Sequence, residues 1–122
     1  MKWLRISLMT ISSYKFGILA EYCAIIILAL KGYKILRRRY RNYLGEIDII
    51  TRKNNILVFV EVKARMKLEQ EYTPVTDKQV RRIRNAAELF IAQNRKYQTY
   101  NIRFDLIMIA GNHWPQHLKN IW

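Results

Sequence analysis

The sequence predicts one α/β domain built on a mixed sheet, in the order helix, strand, strand, strand, helix, strand. Three observations carry that expectation. Two apolar runs, Ile56-Leu57-Val58-Phe59-Val60 and Leu106-Ile107-Met108-Ile109, read as strands covered on both faces. Asn54-Asn55 stands directly before the first run and joins it to Glu46-Ile47-Asp48-Ile49-Ile50 as a tight hairpin, because asparagine tolerates the left-handed backbone such turns need. An amphipathic segment of helical length separates the two apolar runs, so the second returns parallel to the first through a crossover.

The chain has 122 residues, 51% of them hydrophobic, which suits one core and a single domain over 1–122. Residues 1–12 carry no clear element, and Met9 offers a second start. The first helix is expected over residues 14–31; its apolar positions run nearly all the way round, so it should be covered on most sides, with Gly32 as its stop. Within it, residues 23–30 are strongly apolar but span only about half of the ~20 residues a transmembrane helix needs. Lys15, Glu21 and Lys31 bound the run, so no stable membrane insertion is expected. Cys23 is the sole cysteine, which excludes an intrachain disulfide; it reads as a small buried hydrophobe in a reducing, cytoplasmic setting.

Residues 33–36 read as a strand with a basic exit, Arg37, Arg38, Arg39 and Arg41, interleaved with Tyr40 and Tyr43. Strands follow at 45–52 and 56–64, then a loop at 66–73. Thr76-Asp77-Lys78-Gln79 has the form of a capping box and opens a helix that runs to about residue 94. Val80, Ile83, Ala87, Phe90 and Ile91 form its apolar stripe, and Lys78, Arg81, Arg82 and Arg84 crowd its first turns. The last strand is expected at 103–110, and the tail with Trp114 and Trp122 is expected to pack across one end.

Charge points to the partner. Lysine and arginine number 22 against 9 aspartate and glutamate, a formal +13, and a surplus of that size attracts polyanions. Nucleic acid comes first, DNA before RNA; a ribosome or an anionic membrane surface comes second.

The hairpin carries the chemistry. With Asn54-Asn55 as a two-residue loop, Asp48 falls opposite Glu61 and Glu46 opposite Lys63, all on one face. Two opposed carboxylates on strands of Ile, Val and Phe repel each other, and a divalent cation would relieve the repulsion. Mg²⁺ takes one or two carboxylates together with waters and substrate phosphates. A lysine beside the acids suits the orientation of a water or the charge on a phosphate.

Gly-Glu-Ile-Asp-Ile-Ile at 45–50 followed by Val-Phe-Val-Glu-Val-Lys at 58–63 resembles the YraN family of small bacterial proteins. It is also similar to the archaeal Holliday-junction resolvases, which carry the same Asp…Glu-x-Lys arrangement. The resemblance runs from about residue 21 to 122 and includes residues 32–36, Lys78, Arg103-Phe104-Asp105 and, loosely, residues 117–120. It implies a restriction-endonuclease-like fold and metal-dependent cleavage of phosphodiester bonds, with branched DNA among the substrates. It further implies Mg²⁺ or Mn²⁺ held by Asp48, Glu61 and the Val62 carbonyl, Lys63 as the catalytic lysine, and Glu21 joining the site from the helix. A homodimer is implied as well, since resolvase-like nucleases work in pairs. Ala20 stands where the family has glycine before the helix glutamate.

Other constellations fail. His113 and His117 are four apart, but Pro115 lies between them and a structural zinc needs four ligands. The glycines are isolated, so there is no phosphate loop, and no small-molecule cofactor is expected. The expectation is a nucleic-acid-binding, metal-dependent nuclease, with backbone contacts from Arg37, Arg38, Arg39, Arg41, Lys78, Arg81 and Arg82. The alternatives are a non-cleaving binding module of the same fold, or a basic ribosome- or membrane-associated protein.

Overall fold

The computed structural model describes residues 13–65 and 75–122. The expectations for residues 1–12 and for the loop at 66–73 lie outside the described residues.

Helix α1 spans Ser13–Leu30. It ends as its glycine requires. Gly32 adopts φ +90°. Its N–H donates to the Ala29 carbonyl at 3.1 Å and that of Tyr33 to the Leu28 carbonyl at 3.0 Å, the paired bonds of a Schellman stop. Three antiparallel strands follow: β1 Lys34–Asn42, β2 Gly45–Lys53 and β3 Ile56–Arg65. Asn54 takes the left-handed conformation, with φ +55°, and Lys53 pairs with Ile56, so the turn is the two-residue loop the sequence predicts.

Helix α2 spans Asp77–Gln93 and begins with the expected capping box: the Thr76 hydroxyl accepts the Gln79 N–H while the Gln79 side chain accepts the Thr76 N–H. A 3₁₀ turn, Arg95–Tyr97, leads to β4, Asn101–Ala110. β3 and β4 are parallel, as the crossover demands. A short strand β5, Gln116–Leu118, then pairs antiparallel with β4, and the sheet order is β1-β2-β3-β4-β5.

The two helices cover opposite faces. Ala20, Ala24 and Leu28 of α1 pack on Ile49, Val58, Val60 and Ile107. Ile83, Ala86, Ala87 and Phe90 of α2 pack on Ile50, Leu57 and Phe59. Phe59 and Phe90 meet edge to face at 6.1 Å. Alternate β3 residues therefore serve alternate cores, which is why this strand is apolar throughout.

Four expectations are corrected. The basic run at 37–41 is not an exit from a short strand; it lies within β1, which pairs with β2 along its whole length and takes up one irregularity between Ile35 and Arg37. α1 is covered on one side only, and Leu19, Tyr22, Ile26 and Leu30 are exposed, because no second layer lies beyond it among the described residues. Cys23 is only partly buried at the edge of that contact. In the tail, Trp122 packs near Phe104, but Trp114 is 90% exposed in the turn before β5. Among the described residues no helix is long and apolar enough to cross a membrane.

Candidate active site

The site forms where the sheet comes apart. β2 pairs with β3 from Lys53–Ile56 to Ile49–Val60, in the register set by Asn54-Asn55, and the pairing ends there. Side-chain alternation breaks at the same place: Ile47 and Ile50 join the α2 core, whereas Ile49 joins the α1 core. Asp48 sits at the break. Its Oδ2 accepts the Val62 backbone N–H at 2.8 Å, filling the position of a strand carbonyl. The expected simple opposition of Asp48 with Glu61 and of Glu46 with Lys63 is thus corrected. The strands separate, and Asp48 lies between them rather than on a shared face.

The neighbouring strand is irregular too. β1 pairs through Arg38–Ile49 and Tyr40–Ile47, and the intervening Arg39 has φ +48°. That conformation is uncommon for a residue with a side chain. It belongs with the side chain's destination: Arg39 Nε and Nη2 both reach Glu21 Oε2 of α1, at 2.9 and 2.8 Å.

Glu61 follows Leu57 and Phe59 by alternation and projects on the α2 side. Lys63 Nζ lies 3.4 Å from Glu61 Oε1, and each of these side chains is only 15% exposed. Burial raises the Asp48 carboxyl above its ordinary range; the Val62 N–H opposes the rise, Glu21 adds to it and Lys63 opposes it. Burial likewise pushes Glu61 up to about 8, with the Asp48 charge adding to the shift and Lys63 opposing it. The two carboxyls act on each other, and the Asp48 charge is the second cause of the rise at Glu61.

A cleft of about 570 Å³ opens from the break towards α1, lined by Glu21, Arg39, Arg41, Asp48, Lys63 and Arg65, among others. A smaller hollow of about 180 Å³ opens towards α2, with Glu61, Gln79 and Arg82 in its wall. Asp48 and Glu46 border both. Gly45 lets α2 come this close: a Cβ there would lie 2.6 Å from the Arg82 carbonyl oxygen.

The structure therefore gathers Glu21, Asp48, Val62 and Lys63 along one cleft, with Glu61 beside Lys63 and in the hollow on the α2 side. Glu46 is more than half exposed at the rim, paired with Arg41 at 3.0 Å. Among the expected phosphate contacts, Arg39, Arg41 and Arg82 border the site. Arg38 covers the Tyr22 ring at 4.6 Å. Arg37, Lys78 and Arg81 are exposed and lie outside both walls. Arg65 and Gln79 border the site without having been expected there; Arg65 continues the Glu61–Lys63 alternation and Gln79 is the capping residue, so both had a sequence signal.

Among the described residues no three His, Cys, Asp or Glu side chains form a ready cage for a metal. The donor set still suits a hard divalent cation, which needs only one or two carboxylates. The Asp48 charge raises the cost of ionising Glu61, and a cation would compensate both charges.

A second polar cluster escaped the sequence reading. Asp105, fully buried, takes both Arg103 Nε and Nη2 at 2.8 and 2.7 Å. It also meets His117 Nε2 at 2.8 Å and the Asn120 N–H at 3.0 Å. Lys31 Nζ donates to His117 Nδ1 at 2.9 Å, which leaves Nε2–H as the donor to Asp105. Arg103 Nη2 also donates to the Tyr33 hydroxyl at 2.6 Å. The cluster ties the end of α1, β4 and the tail together.

A family model described as "Uncharacterised protein family UPF0102" matches residues 20–109. The chain belongs to this family. A UPF0102 protein of Rhizobium meliloti is 42% identical over 110 residues, covering 90% of both chains. One of Nitrobacter winogradskyi is 43% identical over 110 residues, covering 90% of this chain and 93% of its own. One of Rhodopseudomonas palustris is 41% identical over 108 residues, covering 88% and 82%. The UPF0102 match contains every acid of the site, Glu21, Asp48 and Glu61, together with Lys63.

Proposed function

We propose that this UPF0102 protein is a metal-dependent nuclease of restriction-endonuclease-like fold that hydrolyses phosphodiester bonds in nucleic acid, DNA before RNA. One observation carries the reading. Two partly buried carboxyls, Asp48 and Glu61, meet at a break in the sheet, with a lysine 3.4 Å from one of them and a cation-bordered cleft in front. Carboxyls raised by burial, and at Glu61 also by the Asp48 charge, mark a candidate functional site where they border a cleft.

Asp48, Glu61 and the Val62 carbonyl would hold Mg²⁺ or Mn²⁺. Such an ion, when bound, polarises the phosphodiester and offsets the charge that develops on its oxygens. The chain's own residues do the rest. The Val62 N–H fixes the orientation of Asp48. Lys63, held against Glu61, faces the attacking water and the developing charge. Glu21 is kept at the cleft by Arg39, and Arg41 and Arg65 meet the phosphate backbone.

The test is incubation with branched, single-stranded and duplex DNA and with RNA, in Mn²⁺, alongside Asp48→Asn and Lys63→Ala variants. Cleavage by the parent, lost in both variants, is expected. No metal-dependent product from any substrate would sink the enzyme. The Glu21–Arg39 ion pair favours a second reading, in which the site grips phosphate without cleaving it. Retained binding with a steep salt dependence and no product would establish that reading instead.

A further inference from the structure

The α1 side of the cleft holds a feature that the acid cluster does not explain. Tyr14, Gly17, Ile18 and Glu21 fall at i, i+3, i+4 and i+7, a single helical stripe, and all four line the cleft. Gly17 is inside the helix, where glycine weakens the structure. Its φ lies outside the left-handed region, so its conformation needs no glycine. Among the described residues nothing lies within 4 Å of the position its Cβ would take, so packing needs none either. What glycine leaves there, among the described residues, is open space against helix backbone. Tyr14, at the outer end of the stripe, is 75% exposed. Two turns, about 10 Å along the axis, separate it from Glu21. Arg39, Arg41 and Lys63 border the same cleft.

We propose that Tyr14 and Gly17 form a subsite for an unpaired nucleotide, beside the phosphate received at Asp48 and Glu61. This rests on the nuclease reading and names its substrate: a strand with at least one base out of the helix. The space at Gly17 admits the sugar and base against the helix, and the exposed Tyr14 ring stacks on the base. Proteins that hold single strands pair a cationic track with such stacking aromatics. A paired base keeps its faces inside the duplex and offers none to Tyr14.

The experiment uses labelled oligonucleotides and fluorescence anisotropy in EDTA, with single-stranded DNA, single-stranded RNA and the matching duplexes. Gly17→Ala and Tyr14→Ala are compared with the parent, and thermal unfolding is followed in parallel. Gly17→Ala is expected to raise Tm by a few degrees, because helix propensity improves, while weakening single-strand binding about fivefold or more. Tyr14→Ala should weaken it about five- to a hundredfold, the range of one lost stack, with duplex affinity changed less than twofold. The DNA and RNA arms show which sugar the subsite takes.

Unchanged single-strand affinity in both variants overturns the subsite, as does an equal loss on single strand and duplex. A fall in Tm for Gly17→Ala overturns it too, since the space would then be packed. Metal-dependent cleavage separates the two levels. If the parent cleaves and the variants bind normally, the subsite falls and the nuclease stands. If single-strand binding depends on Tyr14 and Gly17 but nothing is cleaved, the subsite stands and the nuclease falls.

Discussion

Asp48 Oδ2 accepts the Val62 backbone N–H at 2.8 Å, so a side chain takes the place of a strand carbonyl where β2 and β3 separate. The bond closes the end of the β2–β3 ladder and aims the carboxyl into the cleft. Stability and orientation therefore depend on the same oxygen.

Asp48→Asn keeps an oxygen that can accept from Val62 and removes a carboxyl that burial disfavours. Asp48→Ala leaves the N–H without its acceptor. In urea unfolding, Asp48→Asn should match or exceed the parent, and Asp48→Ala should fall below Asp48→Asn by about 1–3 kcal/mol. Both should lose at least about a hundredfold in metal-dependent cleavage, on the scale of a removed transition-state contact. Equal stability of the two variants would show that the Val62 bond contributes nothing.

Glu61 sets a pH dependence. Its ordinary value is 4.5, and burial beside Asp48 raises it to about 8 in the folded protein. Between those values the folded state holds a proton that the unfolded chain has lost. Stability of the metal-free protein therefore falls as pH rises from about 4.5 to about 8, then levels off. Glu61→Gln should reduce that slope, since Asp48 is raised as well, and be the more stable protein at pH 8. Denaturant unfolding in EDTA across this range measures the difference between the two. Mn²⁺ binding near neutral pH should release a proton, visible as a dependence of the calorimetric heat on buffer ionisation enthalpy.

Asp105 has the opposite sign. Burial alone would raise it, but the hydrogen bonds from His117, Arg103 and Asn120 outweigh burial and hold it at about 2. Its contribution is complete above the ordinary value of 3.8 and is lost as pH falls towards about 2. Asp105→Ala strands the Arg103 guanidinium in a largely buried place and should cost about 3–5 kcal/mol. His117→Ala should raise the Asp105 carboxyl midpoint, followed by NMR; an unmoved midpoint would remove His117 from the cluster.

Gly45→Ala tests the approach of α2. The added methyl would meet the Arg82 carbonyl, which is backbone and can yield only if the helix shifts. A loss of about 1–3 kcal/mol is expected in thermal unfolding, the usual cost of overpacking. Because Arg82 and Gln79 share the hollow with Glu61, cleavage should fall further than stability accounts for.

The hairpin register was legible because Asn54-Asn55 sets it locally, and the start of α2 because Thr76 and Gln79 are three residues apart. The list of acids was legible for the same reason. The break at Asp48 was not: it depends on a bond to Val62, fourteen residues away, and on a kink at Arg39 in another strand. Strand β5 has three residues and no usable alternation, so only its pairing with β4 defines it. His117 read as a failed zinc ligand because its partners, Lys31 and Asp105, lie 86 and 12 residues away.

The Asp105 cluster also orders events during synthesis. Lys31, Tyr33 and Arg103 precede Asp105 in the chain, but His117 and Asn120 follow it. A nascent chain that has reached only β4 must either leave this carboxylate in water or bury it with too few donors. The β4 half of the sheet therefore closes fully only once the segment carrying β5 is in place, whereas the β1–β3 meander holds its own pairings. A chain truncated after residue 112 should accordingly present a native-like meander with an open, protease-sensitive flank.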